Sequence, residues 1–302
     1  MRIVITGSTG LIGRALTASL LSDGHEVVRL VRREPVAPTA DGSIEAHWNP
    51  QTGFVPPEAL ADVDALVHLA GAGVGDHRWN AAYKRKIRDS RVHGTKALAD
   101  CFAAASGKLR PSVFVSGSAI GYYGDTGGKA VDESAPVGTD FLAGVCAEWE
   151  AAADPAREAG IRTVHPRMGI LVAPAGGAYG RILPLAKLGL GGRMGNGRQY
   201  WSLISLADVV AGLRFAIDTP GLSGPVNFTS PQPATNRELT ATLGRLLHRP
   251  ALLPVPGPAL RLAIGEFAGT VLYSQQVLPA KLLDAGFTFK HPTPEATLSS
   301  AL

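Results

Sequence analysis

The chain has 302 residues, of which 45% are hydrophobic and 18% are charged, and this composition excludes a disordered or fibrous protein. Lysine and arginine total 29 against 25 acidic residues, and aromatic residues make up only 6%, so we expect no nucleic-acid partner. The two cysteines fit a reducing compartment, and the eight histidines show no metal-ligand spacing. We find neither a secretory leader nor an apolar run of ~18 residues, and therefore expect a cytoplasmic protein without a membrane partner.

Strands and helices are predicted to alternate through the first half of the chain. The run Ile3–Ile5 is typical of a strand buried on both faces, and the helical pattern of Leu11–Leu21 ends at the capping signal Asp23-Gly24. The further predicted strands are Val27–Val31, Ala65–Leu69, Ser112–Ser116 and Arg162–Val164, and the further helices are Trp79–Ala105 and Phe141–Ala159. This alternation predicts an α/β fold, a Rossmann-type doubly wound parallel sheet with right-handed crossovers.

The second half of the chain is less regular. Residues 173–202 are rich in glycine and proline around a helical stretch at Ile182–Leu188, while Asp208–Ile217 has a helical and Val226–Phe228 a strand pattern. We predict a dinucleotide-binding domain of residues 1–172, with its sheet completed by about 203–230, and a smaller substrate-side α+β lobe of residues 173–202 and 231–302.

A glycine-rich turn, Gly7-Ser8-Thr9-Gly10-Leu11-Ile12-Gly13, follows the first predicted strand and opens the first predicted helix. Gly7 permits a tight turn, Gly10 lets the backbone approach a pyrophosphate, and Gly13 allows the helix to pack closely on the strand. The helix N terminus offers free N–H groups and a positive dipole end to phosphates. Because of this strand–turn–helix context, the motif predicts a dinucleotide site rather than a purely structural turn.

The end of the second predicted strand indicates which dinucleotide is bound. An NAD site usually places an aspartate or glutamate ~20 residues after the glycine loop, where it holds the ribose 2′-hydroxyl. This chain has Arg32-Arg33 there, and guanidinium groups bind phosphates through paired hydrogen bonds. NADP(H) is therefore the predicted cofactor, although Glu34 follows directly.

Several segments together resemble a known family. Gly7-x-x-Gly10-x-x-Gly13, Leu69-Ala70-Gly71 and Ser116–Gly124 resemble the extended short-chain dehydrogenase/reductase (SDR) superfamily. The segments Arg78–Arg91, Gly191–Trp201 and Ser274–Phe287 are similar to its atypical epimerase-family branch of NADP-binding proteins. The resemblance covers nearly the whole chain.

The resemblance implies a Rossmann fold that binds NADP(H) through the glycine loop, Arg32, Leu69-Ala70, the helix residues Lys86 and Arg91, and the strand end near Leu171. Independently, Leu69-Ala70-Gly71 ends a predicted strand at the carboxyl edge, where open α/β sheets bind ligands. The spacing between Lys86 and Arg91 places them about 140° apart on a helix, so a solvated charge is the alternative for either. A homodimer is expected only by analogy with the superfamily.

The acid–base pair of the superfamily is missing from this sequence. SDR enzymes combine a serine or threonine hydroxyl with a Tyr-x-x-x-Lys pair, in which the lysine lowers the tyrosine pKa from its usual ~10. The corresponding helix places Phe141 or Leu142 at the tyrosine position and Val145 or Cys146 at the lysine position. Without a histidine partner, Cys146 is interpreted as a small buried hydrophobic residue. Carbonyl reduction by the usual mechanism is therefore not expected.

Other residues are candidates for the acid–base role of the missing Tyr–Lys pair. Ser118 occupies the serine position of the superfamily, and Tyr122 and Tyr123 follow it beyond the carboxyl end of a strand, where a substrate is expected. Either tyrosine is a candidate proton donor, and packing of one of them into the core is the alternative. Glu148 and Glu150 are interpreted as surface residues of a helix rather than as catalytic acids.

The sequence also differs from the superfamily pattern at positions where substrate contacts are expected. Sugar-nucleotide epimerases of this superfamily carry an arginine followed by an aromatic-Ile-His run, whereas this chain reads Trp201–Ser205. We predict substrate contacts from Arg198, Tyr200 and Trp201, and a tryptophan-lined pocket favours an apolar or aromatic ligand over a UDP- or GDP-sugar. Packing within the C-terminal lobe is the alternative role for Trp201.

Two functions stay open at this stage. The first is an NADP(H)-dependent oxidoreductase or epimerase that acts on an unidentified small molecule. The second is a non-catalytic NADP(H) sensor or binding scaffold, which the missing Tyr–Lys pair favours, whereas the retained serine and the paired tyrosines favour the first.

Overall fold

The computed structural model describes residues 1–105 and 111–302. Its strands are, in chain order, β1 (Arg2–Thr6), β2 (Glu26–Val31), β3 (Ile44–His47), β4 (Ala65–His68), β5 (Val113–Ser116), β6 (Ser118–Ala119), β7 (Ala130–Val131), β8 (Arg162–Met168), β9 (Ile170–Val172), β10 (Tyr200–Trp201), β11 (Leu203–Ser205), β12 (Gly224–Phe228), β13 (Ala234–Thr235) and β14 (Gln276–Val277). Its α-helices are α1 (Leu11–Ser22), α2 (Ala81–Ala104), α3 (Phe141–Ala151), α4 (Asp154–Glu158), α5 (Gly177–Lys187), α6 (Leu206–Asp218), α7 (Asn236–Leu247), α8 (Gly257–Ile264), α9 (Ala268–Leu272), α10 (Ala280–Asp284) and α11 (Pro294–Ser299).

The central sheet runs in the order β12-β8-β5-β4-β1-β2-β3, with β6 also paired to β8, and its described strand pairs are parallel. Helices cover both of its faces, which is why Ile3, Val4 and Ile5 of β1 are all fully buried. The predicted doubly wound Rossmann-type fold is confirmed.

Two apolar layers hold the helices against the sheet. On one face, Leu16 and Leu20 of α1 pack with Val209 and Leu213 of α6 over the inward residues of the strands. On the other face, residues of α2 and α4 pack over Val4 and the alternate residues of its neighbours. Burial of this apolar surface is the main stabilising contribution, because each fully buried aliphatic side chain is worth about 1.5–3 kcal/mol.

One predicted helix is wrong, and one strand of the central sheet was not predicted. The helix predicted for Phe141–Ala159 is two helices, α3 and α4, because Pro155 lacks the N–H that would continue the backbone ladder and stands in the first turn of α4 instead. The edge strand β3 was not predicted, since its sequence Ile44–His47 has little of the apolar pattern that marks a buried strand.

The C-terminal half adds β12 to the edge of the central sheet and builds three two-stranded sheets, β10-β13, β11-β9 and β14-β7. A third apolar cluster lies between α5, α7, α11 and the small strands. The exact division into a dinucleotide-binding domain and a C-terminal lobe stays a prediction. Among the described residues, no helix has both the length and the apolar character needed to cross a lipid bilayer.

Candidate dinucleotide-binding site

The turn after β1 is packed so tightly that two of its glycines, Gly7 and Gly13, admit no side chain. Gly7 has φ +69°, and a Cβ there would lie 2.7 Å from the carbonyl carbon of Leu69 and 2.8 Å from the nitrogen of Ala70. A Cβ on Gly13 would overlap the Gly7 carbonyl and lie 2.7 Å from the Cα of Ser8. These glycines bring the turn against both α1 and the end of β4, as the motif predicts for a phosphate loop.

The turn presents unused hydrogen-bonding groups. The Ser8 hydroxyl is buried and has no hydrogen-bond partner among the described residues. The N-cap residue of α1 is Gly10, whose lack of a side chain leaves the first backbone N–H groups of the 12-residue helix without a side-chain cap. A buried hydroxyl without a partner costs free energy, so this arrangement fits an anionic group that accepts hydrogen bonds from the turn.

A cleft of about 990 Å³ opens beside this turn. Its walls come from the turn, the end of β2, the chain after β4, and one side of α2, so it lies at the carboxyl edge of the sheet. The predicted cofactor residues that line it are Gly7, Ser8, Thr9, Gly10, Arg32, Arg33, Leu69, Ala70, Gly71 and Lys86. Leu11, Ile12, Gly13, Arg91 and Leu171 are not among the lining residues.

The two adjacent arginines differ in their surroundings. The Arg33 guanidinium donates to both carboxylate oxygens of Glu45, at 2.7 and 2.8 Å, and the same carboxylate pairs with Arg29. Burial alone would raise the pKa of Glu45, but these hydrogen bonds and charges lower it overall. Within the described part of the chain, Arg32 makes no ion pair or side-chain hydrogen bond, so it is the free cation at this end of the cleft. The sequence pattern did not identify Glu45 as the partner of Arg33, because it predicted no strand at the position of β3.

Arg91 supports the wall of the cleft without lining it. Its half-buried guanidinium donates to the carbonyl oxygens of Ala72 at 2.9 Å and Ile87 at 3.0 Å, and lies 5.1 Å from the ring centre of Trp149. It therefore fixes the chain that follows Leu69-Ala70-Gly71 instead of facing into the cleft. Lys86 does face the cleft, as expected for two residues on different sides of α2.

Ser118 belongs to a buried ionic cluster. Its hydroxyl donates to Glu150 Oε1 at 2.6 Å, and the same carboxylate forms a two-pronged ion pair with Arg167, both distances being 2.8 Å. The Arg167 side chain is 2% exposed and that of Glu150 13%. The interpretation of Glu150 as a surface residue is therefore wrong, because a buried guanidinium on β8 requires a carboxylate partner. Glu148, half-exposed beside Arg88, does lie on the surface.

The two adjacent tyrosines have different roles. The Tyr123 hydroxyl donates to Asn227 Oδ1 at 2.7 Å and accepts from Arg167 at 2.9 Å, and burial raises its pKa to about 12. The Tyr122 ring is half-buried with the Arg167 guanidinium 3.4 Å from its centre, and within the described residues its hydroxyl has no hydrogen-bond partner. Tyr123 therefore has a structural role, whereas the Tyr122 hydroxyl is available to hydrogen-bond a ligand.

The predicted substrate residues do not line the cleft. The Trp201 indole nitrogen donates to the Val271 carbonyl at 3.1 Å, and its ring forms part of a separate small apolar pocket. Tyr200 joins the loop before β14 through backbone hydrogen bonds, and Arg198 is exposed. Cys146 is buried, and burial raises its pKa to about 12, which agrees with its interpretation as an unreactive hydrophobic residue.

The fold and this site define a dinucleotide-binding protein of the Rossmann type, with a phosphate turn between β1 and α1 and a cleft at the carboxyl edge of the sheet. Residues 3–227 match the NAD dependent epimerase/dehydratase family, and the chain belongs to this family. The predicted membership of the extended SDR superfamily, in its epimerase-family branch, is confirmed. Residues 255–301 match a domain of unknown function, DUF1731.

Several relatives cover nearly the full chain. Epimerase family protein Mb2239 of Mycobacterium bovis is 47% identical over 292 residues, which are 96% of this chain and 94% of the relative. Epimerase family protein YfhF of Bacillus subtilis is 33% identical over 100% of this chain and 98% of its own. A crystal structure of human epimerase family protein SDR39U1 (isoform 2), solved with NADPH, is 31% identical with a TM-score of 0.88, over 100% and 99% of the two chains.

Proposed function

We propose that this chain binds NADP(H) in the cleft beside the phosphate turn. The observation that carries the proposal is the buried Ser8 hydroxyl, which has no partner among the described residues and stands in a turn that also exposes the N-terminal N–H groups of α1. The human relative of known structure was crystallised with NADPH, which supports the same ligand here.

Each part of the cleft has a distinct role in this proposal. Ser8 and the backbone of Gly7–Gly10 would hold the pyrophosphate, and Leu69-Ala70 would contact the cofactor beyond it. Arg32, which has no ion pair among the residues described, binds the 2′-phosphate, while Arg33, fixed by Glu45, forms the adjacent wall. Lys86 adds a positive charge on the opposite side of the cleft.

The cofactor assignment is tested by Arg32→Asp. Hydrogen bonds to charged groups contribute about 1.5–3 kcal/mol, so we expect NADPH affinity to fall about 10- to 100-fold while NADH affinity changes little. Arg85→Asp, an exposed basic residue of α2 outside the cleft, is the matched charge control. Equal losses for NADPH and NADH in Arg32→Asp would refute the proposed 2′-phosphate contact.

We further propose that the protein is an oxidoreductase or epimerase that acts on a small molecule. Bound NADP(H) would supply or accept the hydride. The Tyr122 hydroxyl has no hydrogen-bond partner within the described residues, and its ring packs on the buried Arg167 guanidinium, so we assign to it the proton donation to the substrate oxygen. Ser118, whose proton is directed to Glu150, positions this loop and accepts rather than donates toward the substrate.

A second function, NADP(H) sensing without catalysis, is favoured by one observation. The hydroxyls of Ser118 and Tyr123 are both engaged in the Glu150–Arg167 cluster, so two of the three candidate catalytic groups are already bound by the protein itself. The discriminating experiment monitors NADPH oxidation with aldehydes, ketones, quinones and sugar nucleotides. Turnover that Tyr122→Phe abolishes without loss of NADPH affinity supports the enzyme, and tight NADPH binding without any turnover supports the sensor.

A further inference from the structure

A small apolar pocket lies in the C-terminal half, away from the cleft. Its volume is about 50 Å³, several times the ~10–15 Å³ that one buried water needs. Helix α5 contributes Ile182 and Ala186, helix α7 contributes Leu239 and Leu243, and Ile170 of β9 closes the end. The pocket shares no lining residue with the dinucleotide cleft.

Three polar side chains on the pocket wall already donate hydrogen bonds within the protein. The Tyr179 hydroxyl donates to the Leu298 carbonyl at 3.4 Å, and the Trp201 indole donates to Val271. The Thr240 hydroxyl donates to the Asn236 carbonyl at 2.7 Å. A polar ligand group would therefore lose its water without gaining these donors, whereas a hydrocarbon group loses nothing.

The loops beside the pocket continue its apolar surface to the outside. Gly191-Gly192 and Pro250-Ala251 line the pocket. Leu190 and Leu252-Leu253 adjoin them in sequence, and Leu188 lies three positions before Gly191. Leu252 is 82% exposed and Leu188 73%, which is unusual for leucines of a globular protein that occur as a group. Exposed apolar side chains therefore flank the lining residues of these two loops along the chain.

The same loops carry only positive charge. Lys187, Arg193 and Arg249 are exposed, and segments 187–193 and 249–256 contain no aspartate or glutamate. Arg249 Nε donates to the Lys187 carbonyl at 3.0 Å, which ties the two loops together. In the part of the chain that the structure describes, none of the three side chains makes an ion pair, so their charges are free to attract an anion.

We propose that this pocket binds the hydrocarbon end of a free anionic amphiphile, a small molecule with an alkyl or isoprenoid tail and a carboxylate or phosphate head. The end of the tail fills the pocket between α5 and α7. The remainder lies along the exposed leucines, and the head meets Lys187, Arg193 or Arg249. This proposal does not depend on the dinucleotide site.

The test measures binding of octanoate to the full chain by calorimetry, with 1-octanol and octylammonium as comparison probes. Octanoate is expected to bind several-fold more tightly than octylammonium, with 1-octanol between them. Ala186→Leu fills the pocket and should weaken octanoate at least tenfold, whereas Leu185→Ala, at an exposed position of the same helix, should not. Arg193→Gln should weaken octanoate but not 1-octanol.

A second variant covers the case in which Ala186→Leu does not fold. Leu243→Ala enlarges the pocket and should raise the affinity for decanoate relative to octanoate. The proposal is overturned if octanoate does not bind, if octylammonium binds equally well, or if Ala186→Leu folds and binds octanoate like the wild type. Sedimentation with vesicles of anionic phospholipid in the absence of octanoate binding also overturns it, because the occupant would then be a membrane surface.

Discussion

His68 ends β4 directly behind the cleft and is fully buried. Its Nδ1 lies 2.6 Å from the Thr6 hydroxyl, and its Nε2 has no partner among the described residues. Burial, with a smaller contribution from the charge of Arg91, lowers the pKa of His68 to about 3. The native protein therefore holds this imidazole neutral in a range where the unfolded chain protonates it.

This buried histidine predicts a pH dependence of stability. The native pKa is about 3 and the ordinary value is 6.5, so the unfolded state binds the extra proton between these values and stability falls as the pH decreases below 6.5. From about pH 6.5 to about pH 5 we expect the free energy of unfolding to fall by about 1.6 kcal/mol through His68.

Urea unfolding of His68→Gln at both pH values measures this effect, and His93→Gln, at a half-exposed site, is the control. The His68 variant should lose much of the pH dependence of stability. The part that remains is expected from buried His165, because burial lowers its pKa as well. An unchanged pH dependence in His68→Gln would show that His68 is not the titrating group.

At the residue scale, the sequence predicts which side chains line the cleft better than what each of them does. Arg32 and Arg33 could be placed at the end of β2, but only Glu45 on the neighbouring strand distinguishes the free arginine from the bound one. Likewise, Tyr122 and Tyr123 are equivalent in the sequence and separate only when Asn227, over 100 positions later, accepts from one of them. Such distinctions depend on long-range contacts that local patterns do not contain.

Helix α3 stands where the superfamily carries its Tyr–Lys pair, and here it serves packing and charge pairing. Phe141 and Leu142 pack with Val145 against Tyr83 and Ile87 of α2. One turn beyond Cys146, the same helix supplies Glu150 to the buried Arg167. Although burial alone would lower the pKa of Arg167, its hydrogen bonds and ion pair with Glu150 raise it. The guanidinium is therefore a permanent charge that must be neutralised.

Two glutamates on this helix form a matched pair for a stability test. Glu150→Gln leaves the Arg167 charge buried without a counterion, and we expect a loss of about 3 kcal/mol in the free energy of unfolding. Glu148→Gln removes an exposed ion pair with Arg88, which is worth at most about 1 kcal/mol. Chemical denaturation of both variants measures the difference, and equal losses would contradict the assignment of the buried pair.

At the element scale, strong local signals predicted the structure correctly and weak ones did not. The predicted helix Leu11–Leu21 and the observed α1 differ by one residue, because the glycine turn and the capping signal mark both ends. β3 has no such signals, and its pairing with β2 is fixed by backbone hydrogen bonds and by Glu45. Glu150 was misinterpreted because the helix pattern alone does not show that Arg167 lies opposite.

For the whole molecule, the order of the strands explains why the cleft lies where it does. β1 stands between β4 and β2, so the phosphate turn, the chain after β4 and the end of β2 meet at one edge of the sheet. The first half of the sequence predicts this arrangement, since parallel α/β sheets place their carboxyl ends together. The C-terminal half could not be predicted in the same way, because its short strands pair across distant segments.

The most direct test of this account is a calorimetric titration of the purified full chain, freed of carried-over nucleotide, with NADPH and then with NADH. We expect a saturable heat at one site for NADPH, a weaker one for NADH, and a preference that Arg32→Asp removes. The absence of any heat with either nucleotide would contradict the central claim that the cleft beside Ser8 is a dinucleotide site.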